Sequence, residues 1–261
     1  MKTVWITGAS SGIGEACACR YASEGDRLIL TSSSQDKLVE VARKCRTLGA
    51  SEVLVLPYDL KNPDGIEELA ATAWDAFGRI DILFCNAGVS QRTMVGNTSM
   101  ETVRKIMEIN YFAPVAMTKA VLPKMVDAGG GRIAVTTSIA GKFGFPLRCA
   151  YSSSKHALYG FFETLQAEYY DKGITVTIVC PGRVRTNISF NAIGEGGEKH
   201  GVMDPGQAGG IPADLAAEKI VRAIDRGKRE VLIGGKELLM VYVKRFFPGL
   251  CALYGRKTKA L

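Results

Sequence analysis

The sequence predicts a doubly wound α/β fold with about seven parallel strands and helices on both faces of the sheet. Short apolar runs recur along the 261 residues, at 3–7, 27–31, 52–57, 80–84, 131–137, 174–180 and 230–233. Helical patterns fill the gaps between these runs, and such regular alternation is typical of a parallel sheet. Because parallel strands all end at one edge of the sheet, a ligand site is expected beyond their carboxyl ends.

Composition and charge agree with a single globular domain over residues 1–261. Apolar residues make up 47% and charged residues 23% of the chain, which is close to the average for soluble proteins. No linker rich in proline, glycine or serine divides the sequence. The net charge of +7 suits an anionic cofactor. No basic block with interleaved aromatic residues is present, so nucleic-acid binding is not predicted.

The cysteines and the chain start bear on metal binding and location. Seven cysteines are scattered without a C-x-x-C pair or a Cys/His cluster, so neither a zinc site nor a disulfide framework is expected. Cys17, Cys85 and Cys180 lie in apolar elements and are predicted to be small core residues. The first strand begins near residue 3, which predicts no signal peptide, and the expected location is the cytoplasm.

The first strand, at 3–7, runs directly into a glycine-rich turn. The turn reads Gly8-Ala9-Ser10-Ser11-Gly12-Ile13-Gly14, and a helical pattern follows over 15–24. Glycines allow positive φ and close approach of a ligand, and the free N–H groups of a helix start attract a pyrophosphate. An ordinary tight turn has the same pattern, but its place at the first strand-to-helix junction favours the dinucleotide-binding turn of a Rossmann fold.

Tyr151 and Lys155 form the most informative pair for chemistry. Residues four apart on a helix lie on one face, so the phenol and the ammonium are expected to meet. A nearby cation favours the phenolate, which would turn the tyrosine into a usable proton donor and acceptor. The alternative is a surface contact of no catalytic consequence.

Two stretches depart from the alternating pattern. Residues 189–211 are rich in glycine and polar side chains, which predicts either a flexible substrate lid or a plain surface loop. Residues 236–261 form an apolar, basic C-terminal extension that is too short to span a bilayer. This extension is expected to pack on the domain or on another subunit, and peripheral membrane contact is the less favoured alternative.

Over essentially its whole length the sequence resembles the short-chain dehydrogenase/reductase family, the last 25 residues or so being least typical. The turn at 7–14 is similar to the family's cofactor turn, and Asn86-Ala87-Gly88 is similar to its motif after the fourth strand. Residues 181–186, Pro-Gly-Arg-Val-Arg-Thr, complete the cofactor motifs. The family's catalytic tetrad is matched by Asn110, Ser138, Tyr151 and Lys155.

The resemblance implies a role for each member of the tetrad. Tyr151 would be the acid that protonates a carbonyl oxygen in reduction and the base in alcohol oxidation. Lys155 would lower the pKa of Tyr151 and bind the nicotinamide ribose, and Ser138 would hold the substrate oxygen beside the phenol. Asn110 would hold a water that links Lys155 to solvent. Without the resemblance, a strand-end cap is the favoured interpretation of Ser138, and a helix kink or cap is the favoured interpretation of Asn110.

The resemblance also implies the cofactor-binding residues. Asp59 and Leu60 would contact the adenine, Asn86 to Gly88 would line its ribose, and Thr186 with Pro181 and Gly182 would hold the carboxamide. The full predicted set is Gly8, Ser10, Ser11, Gly12, Ile13, Gly14, Ser32, Ser33, Asp59, Leu60, Asn86, Ala87, Gly88, Tyr151, Lys155, Pro181, Gly182, Val184 and Thr186.

The end of the second predicted strand bears on the choice between NADP and NAD. Residues 31–34, Thr-Ser-Ser-Ser, contain no carboxylate to repel a 2′-phosphate and three serine hydroxyls that can donate to it. NADP is therefore favoured and NAD remains the alternative. The family's usual arginine at position 33 and the basic residue often found at position 11 are both serine here.

These observations predict an oxidoreductase that transfers a hydride between NADP(H) and a small-molecule carbonyl or secondary alcohol. Ile139, Phe143, Phe145 and Leu147, together with the loop at 89–94, predict a mainly apolar substrate pocket. Arg148 either receives an anionic group or faces solvent. By analogy with the family, a homodimer or homotetramer formed through helices near 99–127 and 151–171 is expected.

Two other functions are also compatible with the sequence. One is a redox-sensing or scaffold protein that binds the cofactor without turnover, against which the intact Ser138, Tyr151 and Lys155 argue. The other is an isomerase or dehydratase with a tightly held NAD. The short C-terminal region disfavours the latter, because enzymes of that type generally carry a larger substrate domain.

Overall fold

The computed structural model describes residues 1–257 and contains the predicted seven-stranded parallel sheet. The strands are β1 (Thr3–Thr7), β2 (Arg27–Thr31), β3 (Glu52–Val55), β4 (Ile82–Cys85), β5 (Gly131–Thr136), β6 (Ile174–Pro181) and β7 (Glu230–Ile233). Their order in the sheet is β3-β2-β1-β4-β5-β6-β7. The chain starts in the centre, builds one half outward, and then returns to build the other half. This reversal between β1 and β4 opens a crevice at their carboxyl ends, and the doubly wound prediction is confirmed.

Strand boundaries differ from prediction by one or two residues at five strand ends. The run predicted at 52–57 ends as a strand at Val55, two residues before Pro57, which has no N–H for a ladder hydrogen bond. The run predicted at 80–84 forms a strand only from Ile82. These shifts leave the predicted number of strands unchanged.

Helices cover both faces of the sheet. They are α1 (Gly12–Ala22), α2 (Gln35–Thr47), α3 (Ile66–Phe77), α4 (Met100–Met107), α5 (Ala113–Asp127), α6 (Cys149–Glu168), α7 (Pro205–Ala208), α8 (Ala213–Asp225), α9 (Leu239–Phe246) and α10 (Pro248–Lys257). Helix α1 begins at Gly12, three residues before the predicted start, because the end of the glycine turn is itself helical. A π-helical turn, Glu108–Phe112, joins α4 to α5.

The strands divide their side chains between two apolar cores. Val4 and Ile6 of β1 face one core with α1, α2 and α8, whereas Trp5 between them faces the other core with α3, α5 and α6. This alternation follows from the two-residue period of a strand, and burial of both faces explains why the strands are continuously apolar. Cys17, Cys85 and Cys180 are buried, as predicted.

Residues 189–211 form a loop over the carboxyl edge of the sheet and include the short helix α7. Ser189, Ala192 and Ile193 are buried, and Ile193 forms a β-bridge with Gln91. The loop is therefore anchored at several points, and its predicted movement as a lid stays a prediction.

The C-terminal extension lies on one end of the domain. Residues 236–257 form a short 3₁₀ turn followed by α9 and α10, and 258–261 lie outside the described residues. Met240, Val241 and Cys251 pack against a cluster that includes Phe143. The opposite side of these helices exposes Leu239, Tyr242, Phe246, Phe247, Leu250 and Leu253. No helix within residues 1–257 has the length and apolarity needed to cross a membrane.

We expect Ile6→Ala to destabilise the fold strongly. Ile6 is fully buried in the central strand, and removing its side chain leaves a cavity that costs about 2–5 kcal/mol. Val39→Ala, at a position on α2 that is 42% exposed, serves as the control and is expected to cost under about 0.5 kcal/mol. Urea denaturation gives both values, and equal losses for the two variants would contradict the assigned core.

Candidate active site

The β1–α1 turn has no room for a side chain at Gly8 or Gly14. Gly8 has a φ of +63°, and a Cβ there would lie 2.8 Å from the Cα of Ala87. A Cβ on Gly14 would press against the carbonyl oxygen of Gly8 and the side-chain nitrogen of Asn86. The backbone of the turn therefore approaches the end of β4 directly, and the start of α1 is left open to an anionic ligand.

Asn86 ties the two central strands together at this point. Its side-chain nitrogen donates to the carbonyl oxygen of Thr7 at 3.1 Å, and its side-chain oxygen accepts from the Thr136 hydroxyl at 3.2 Å. The Thr7 hydroxyl accepts from the backbone N–H groups of both Asn86 and Ala87 at 3.1 Å. Asn86 thus acts as a brace that spans β1, β4 and β5.

A cavity of about 560 Å³ extends along this edge of the sheet from β2 to α6. Predicted cofactor residues that line it are Gly8, Ser10, Ser11, Gly12, Ile13, Ser32, Ser33, Asp59, Leu60, Asn86, Ala87, Gly88, Tyr151, Lys155 and Thr186. Gly14 lies behind the cavity wall, where its role is the close packing described above. The size, the glycine turn and the helix start fit a dinucleotide.

The end of this cavity at β2 and β3 carries hydroxyl groups and one ion pair. Ser32 and Ser33 line it, and the Ser32 hydroxyl accepts a hydrogen bond from the backbone of Ser34 at 3.2 Å. Asp59 also lines it and pairs with Lys61 at 2.8 Å. Lys61 is thus a cation beside the predicted adenine site that the sequence reasoning did not include.

A second cavity of about 280 Å³ adjoins the first. It holds the remaining predicted residues Ser138, Pro181, Gly182 and Val184, and it shares Ile13, Thr136, Tyr151, Thr186 and Ile188 with the first cavity. Tyr151 therefore stands at the junction. A substrate in the second cavity and a nucleotide in the first would both reach its phenol.

Helix α6 places Tyr151 and Lys155 on its inner face, where both are almost fully buried, at 8% and 2% exposure. The Lys155 ammonium donates to the backbone oxygen of Thr136 at 2.7 Å and lies 5.8 Å from the centre of the Tyr151 ring. The structure therefore brings the predicted pair together in the interior, and a surface contact is excluded for this pair.

Gln91 fixes the start of α6, and the sequence analysis missed it. The first N–H groups of a helix lack partners within the helix, and the Gln91 side-chain oxygen accepts from the backbone N–H of Tyr151 at 3.2 Å. Its nitrogen donates to the hydroxyls of Thr93 and Thr98, each at 3.0 Å. A capping partner 60 positions away in the chain leaves no local signal in a single sequence.

Burial dominates the protonation of the catalytic pair. Desolvation lowers the pKa of Lys155 to about 7, with a small opposing effect of Cys85. Burial also raises the pKa of Tyr151, and this is only partly offset by the Ser138 hydroxyl and by the positive charges of Arg92 and Arg148. Burial thus outweighs the groups that lower the pKa of Tyr151, and the Lys155 nitrogen donates to the backbone oxygen of Thr136. The expected lowering of this pKa by Lys155 stays a prediction.

Ser138 follows β5 and lies beside the phenol. Its hydroxyl accepts from the backbone N–H of Ala140 at 3.1 Å, so it caps the short 3₁₀ turn Ile139–Gly141. The same hydroxyl lines the second cavity and interacts with Tyr151. Both interpretations of this serine from sequence, a local cap and a site residue, agree with its position.

Asn110 lies in the π-helical turn and is fully buried. Its oxygen accepts from the backbone N–H of Val89 at 2.8 Å, and its nitrogen donates to the Val89 carbonyl at 2.9 Å and to the Ser154 hydroxyl at 3.0 Å. A Cβ on Gly88 would lie 3.3 Å from both the Asn110 oxygen and the Lys155 nitrogen. Asn110 thus holds the chain after β4 against α6, within reach of Lys155, and the water it is expected to hold stays a prediction.

Comparison with known proteins places the chain among nucleotide-dependent enzymes. The sequence profile described as short chain dehydrogenase matches residues 2–193. Dehydrogenase/reductase SDR family member 7B from mouse is 38% identical over 251 residues, which covers 95% of this chain and 78% of the mouse protein. Its zebrafish (Danio rerio) counterpart is 40% identical over 256 residues, covering 95% and 82% of the two chains.

Solved structures give the same result. A short-chain dehydrogenase/reductase from Burkholderia phymatum in complex with NAD superimposes with a TM-score of 0.85 at 25% identity, covering 95% of this chain and 94% of that one. A short-chain dehydrogenase from Sphingobium yanoikuyae in complex with NADPH superimposes with a TM-score of 0.80 at 25% identity, covering 100% and 98%.

Because burial depresses the pKa of Lys155, we expect Lys155→Met to change how stability depends on pH. Below about pH 7 the folded wild type holds a buried charge. Between about 7 and the unfolded value near 10.5 the unfolded state binds more protons, so the wild type gains stability as pH rises. The nucleotide-free variant should therefore be more stable than the wild type at pH 6, with the advantage shrinking toward pH 10. Urea titrations at pH 6, 8 and 9.5 measure this difference, and a difference independent of pH would contradict the assigned burial of the charge.

Proposed function

This chain belongs to the short-chain dehydrogenase/reductase family and is an NAD(P)-dependent oxidoreductase acting on CH–OH groups; on that premise we propose that it interconverts a carbonyl and a secondary alcohol with NADP(H) as the preferred cofactor. The observation that carries the proposal is the position of Tyr151, whose buried phenol stands where the two cavities meet. When bound, the nicotinamide would supply the hydride.

The chain's own residues supply binding, orientation and the proton. In reduction, the Tyr151 hydroxyl donates its proton to the carbonyl oxygen while Ser138 donates a hydrogen bond to the same oxygen. The raised pKa keeps the phenol protonated at neutral pH, which suits it to be the acid in reduction. Alcohol oxidation needs the reverse transfer and is expected to be favoured at higher pH.

Lys155 and Asn110 support this step from behind. Lys155 would hold the nicotinamide ribose hydroxyls, and its lowered pKa lets it accept and release a proton near neutrality. Asn110 keeps the backbone of Gly88 and Val89 packed beside it. Both side chains are buried and face the interior of the protein. Lys155 affects the charge beside Tyr151, and Asn110 affects the position of the backbone there.

The preference for NADP is supported by the β2 end of the larger cavity. Ser32 and Ser33 line this end, and their hydroxyls can donate to a phosphate. The chain offers no carboxylate over 31–34 that would repel a 2′-phosphate. Solved relatives bind NAD in one case and NADPH in another, so this preference depends on the serines of this chain.

The substrate is proposed to be a ketone or aldehyde with a substantial apolar part. Apolar side chains of the second cavity include Ile139, Phe145, Pro146, Val184 and Ile188. The loop at 189–211 contributes to both cavities and would exclude water from the reacting atoms when closed. A homodimer or homotetramer through helices α4, α5 and α6 is also proposed, by analogy with the family.

We expect Tyr151→Phe to bind nucleotide almost normally and to lose turnover by about 10²–10⁴-fold, since the variant lacks the transferable proton but keeps the ring. Tyr170→Phe, at an exposed position distant from the cavities, is the matched control. Nicotinamide absorbance with a panel of ketones and alcohols gives the rates, and calorimetry gives the affinity. Turnover of Tyr151→Phe near the wild-type rate would remove the proposed role.

For the cofactor, Ser32→Asp is expected to reduce the ratio of kcat/KM with NADPH to kcat/KM with NADH by at least about tenfold, because a carboxylate repels the 2′-phosphate and accepts from a 2′-hydroxyl. Ser51→Asp introduces the same charge at the opposite end of the strands and should leave the ratio unchanged. A wild type that uses NADH better than NADPH would refute the proposed preference.

A further inference from the structure

The second cavity has an apolar wall and a cationic end. The cationic end is made of Arg92 and Arg148, with the carboxylate of Asp204 between them, and exposed Arg183 lines the same cavity nearer to solvent. Arg92 lies in the loop that follows β4, directly after Gln91. Arg148 immediately precedes α6, and Asp204 lies in the loop at 189–211. Three distant segments of the chain thus bring charge to one place.

The two arginines bind one carboxylate. Arg92 donates to both oxygens of Asp204, at 3.2 and 2.6 Å, and Arg148 donates to one of them at 2.7 Å. The side chains of Arg92, Arg148 and Asp204 are 3%, 16% and 14% exposed. A carboxylate is therefore the kind of group that this pair of guanidinium groups already recognises.

The charges at this point do not cancel. Two guanidinium groups face one carboxylate, which leaves one net positive charge on the wall of a largely buried cavity. Arg92 uses four of its five N–H groups, two on Asp204 and one each on the Ser90 hydroxyl and the Gln91 carbonyl, at 2.9 and 2.6 Å. Arg148 gives one further bond, to the Pro146 carbonyl at 3.1 Å, and so keeps N–H groups for a ligand.

The cationic end is close to the reacting atoms. Arg92 and Arg148 both lower the pKa of Tyr151 through their charge, and Tyr151 lines the same cavity. Leu147, next to Arg148, has a φ of +61°. This left-handed backbone conformation costs a residue other than glycine about 1 kcal/mol or more. The strained residue lies at the turn that leads into α6, where Arg148 lines the cavity.

We propose that the cationic end binds an anionic group of the substrate, so that the carbonyl compound reduced at Tyr151 carries a carboxylate or phosphate group as well as an apolar part. This inference rests on the proposed carbonyl chemistry. Arg148 is the residue that contacts the anion, Arg92 supplies charge from behind it, and Asp204 limits the charge of the free site.

A purely structural role predicts different behaviour. If the three residues serve only to fasten the loop at 189–211, removal of either Arg148 or Asp204 loosens the same contact and affects all substrates in one direction. If they bind an anion, loss of Arg148 weakens selection for an acidic substrate, whereas loss of the Asp204 charge strengthens it. The sign of the two effects separates the two roles.

The experiment compares acids with their uncharged esters. Substrates are phenylglyoxylate, 3-benzoylpropionate and 5-oxo-5-phenylpentanoate, each beside its methyl ester, and phenacyl phosphate is assayed to distinguish phosphate from carboxylate. The readout is the ratio of kcat/KM for each acid to that for its ester, with NADPH. Calorimetric titration of the NADP-loaded protein with the same acids measures binding without turnover.

We expect the wild type to prefer at least one acid over its ester by about tenfold or more. Arg148→Gln should reduce this ratio about tenfold, and Asp204→Asn should raise it. Arg43→Gln, which removes an exposed arginine of α2 that lines neither cavity, should leave it unchanged. A wild type without preference for any acid, or shifts of the ratio in the same direction for Arg148→Gln and Asp204→Asn, would overturn the anion site. Binding of acids without turnover of any ketone would support the anion site and refute the carbonyl chemistry, and neither binding nor turnover would refute both.

Discussion

The active-site region depends on one interaction, the hydrogen bond between the buried ammonium of Lys155 and the backbone oxygen of Thr136. It attaches α6 to the carboxyl end of β5 and holds the amine in the wall of the larger cavity. An amine at this depth loses most of its hydration, and its pKa drops to about 7 as a result. Burial likewise raises the pKa of Tyr151, and the positive charges that act on its phenol come from the largely buried side chains of Arg92 and Arg148.

Each neighbouring feature keeps this region packed. Gln91 caps the helix that carries Tyr151, Asn110 fixes the chain after β4 through the backbone of Val89, and Asn86 links the central strands to the cofactor turn. Gly8, Gly14 and Gly88 permit these contacts because a Cβ at any of them would meet a neighbouring backbone or side-chain atom. The side-chain amides of Gln91, Asn110 and Asn86 are hydrogen-bonded within the protein, which fixes the backbone around the phenol.

The sequence was sufficient for the fold and for the residues with a local signature. The alternation of apolar runs and helical patterns predicted seven strands. The glycine turn and the Tyr151–Lys155 pair have a recognisable spacing, but their roles were implied by the family resemblance, because a tight turn and a surface contact have the same spacing. Gln91, Arg92 and Asp204 were not, because they act across 60 to 112 positions of sequence and lie in loops without a repeating pattern. The pKa of Tyr151 was also beyond reach, since proximity to Lys155 can be read from spacing whereas burial of both groups depends on the tertiary structure.

A crystal structure of the protein with NADP⁺ tests the central claim most directly, namely that Tyr151 marks the meeting point of nucleotide and substrate. The account predicts the nicotinamide ring at the junction of the two cavities, facing the Tyr151 phenol, with the ribose hydroxyls on the Lys155 nitrogen. A ring bound away from the phenol, with the second cavity opening elsewhere, would contradict it.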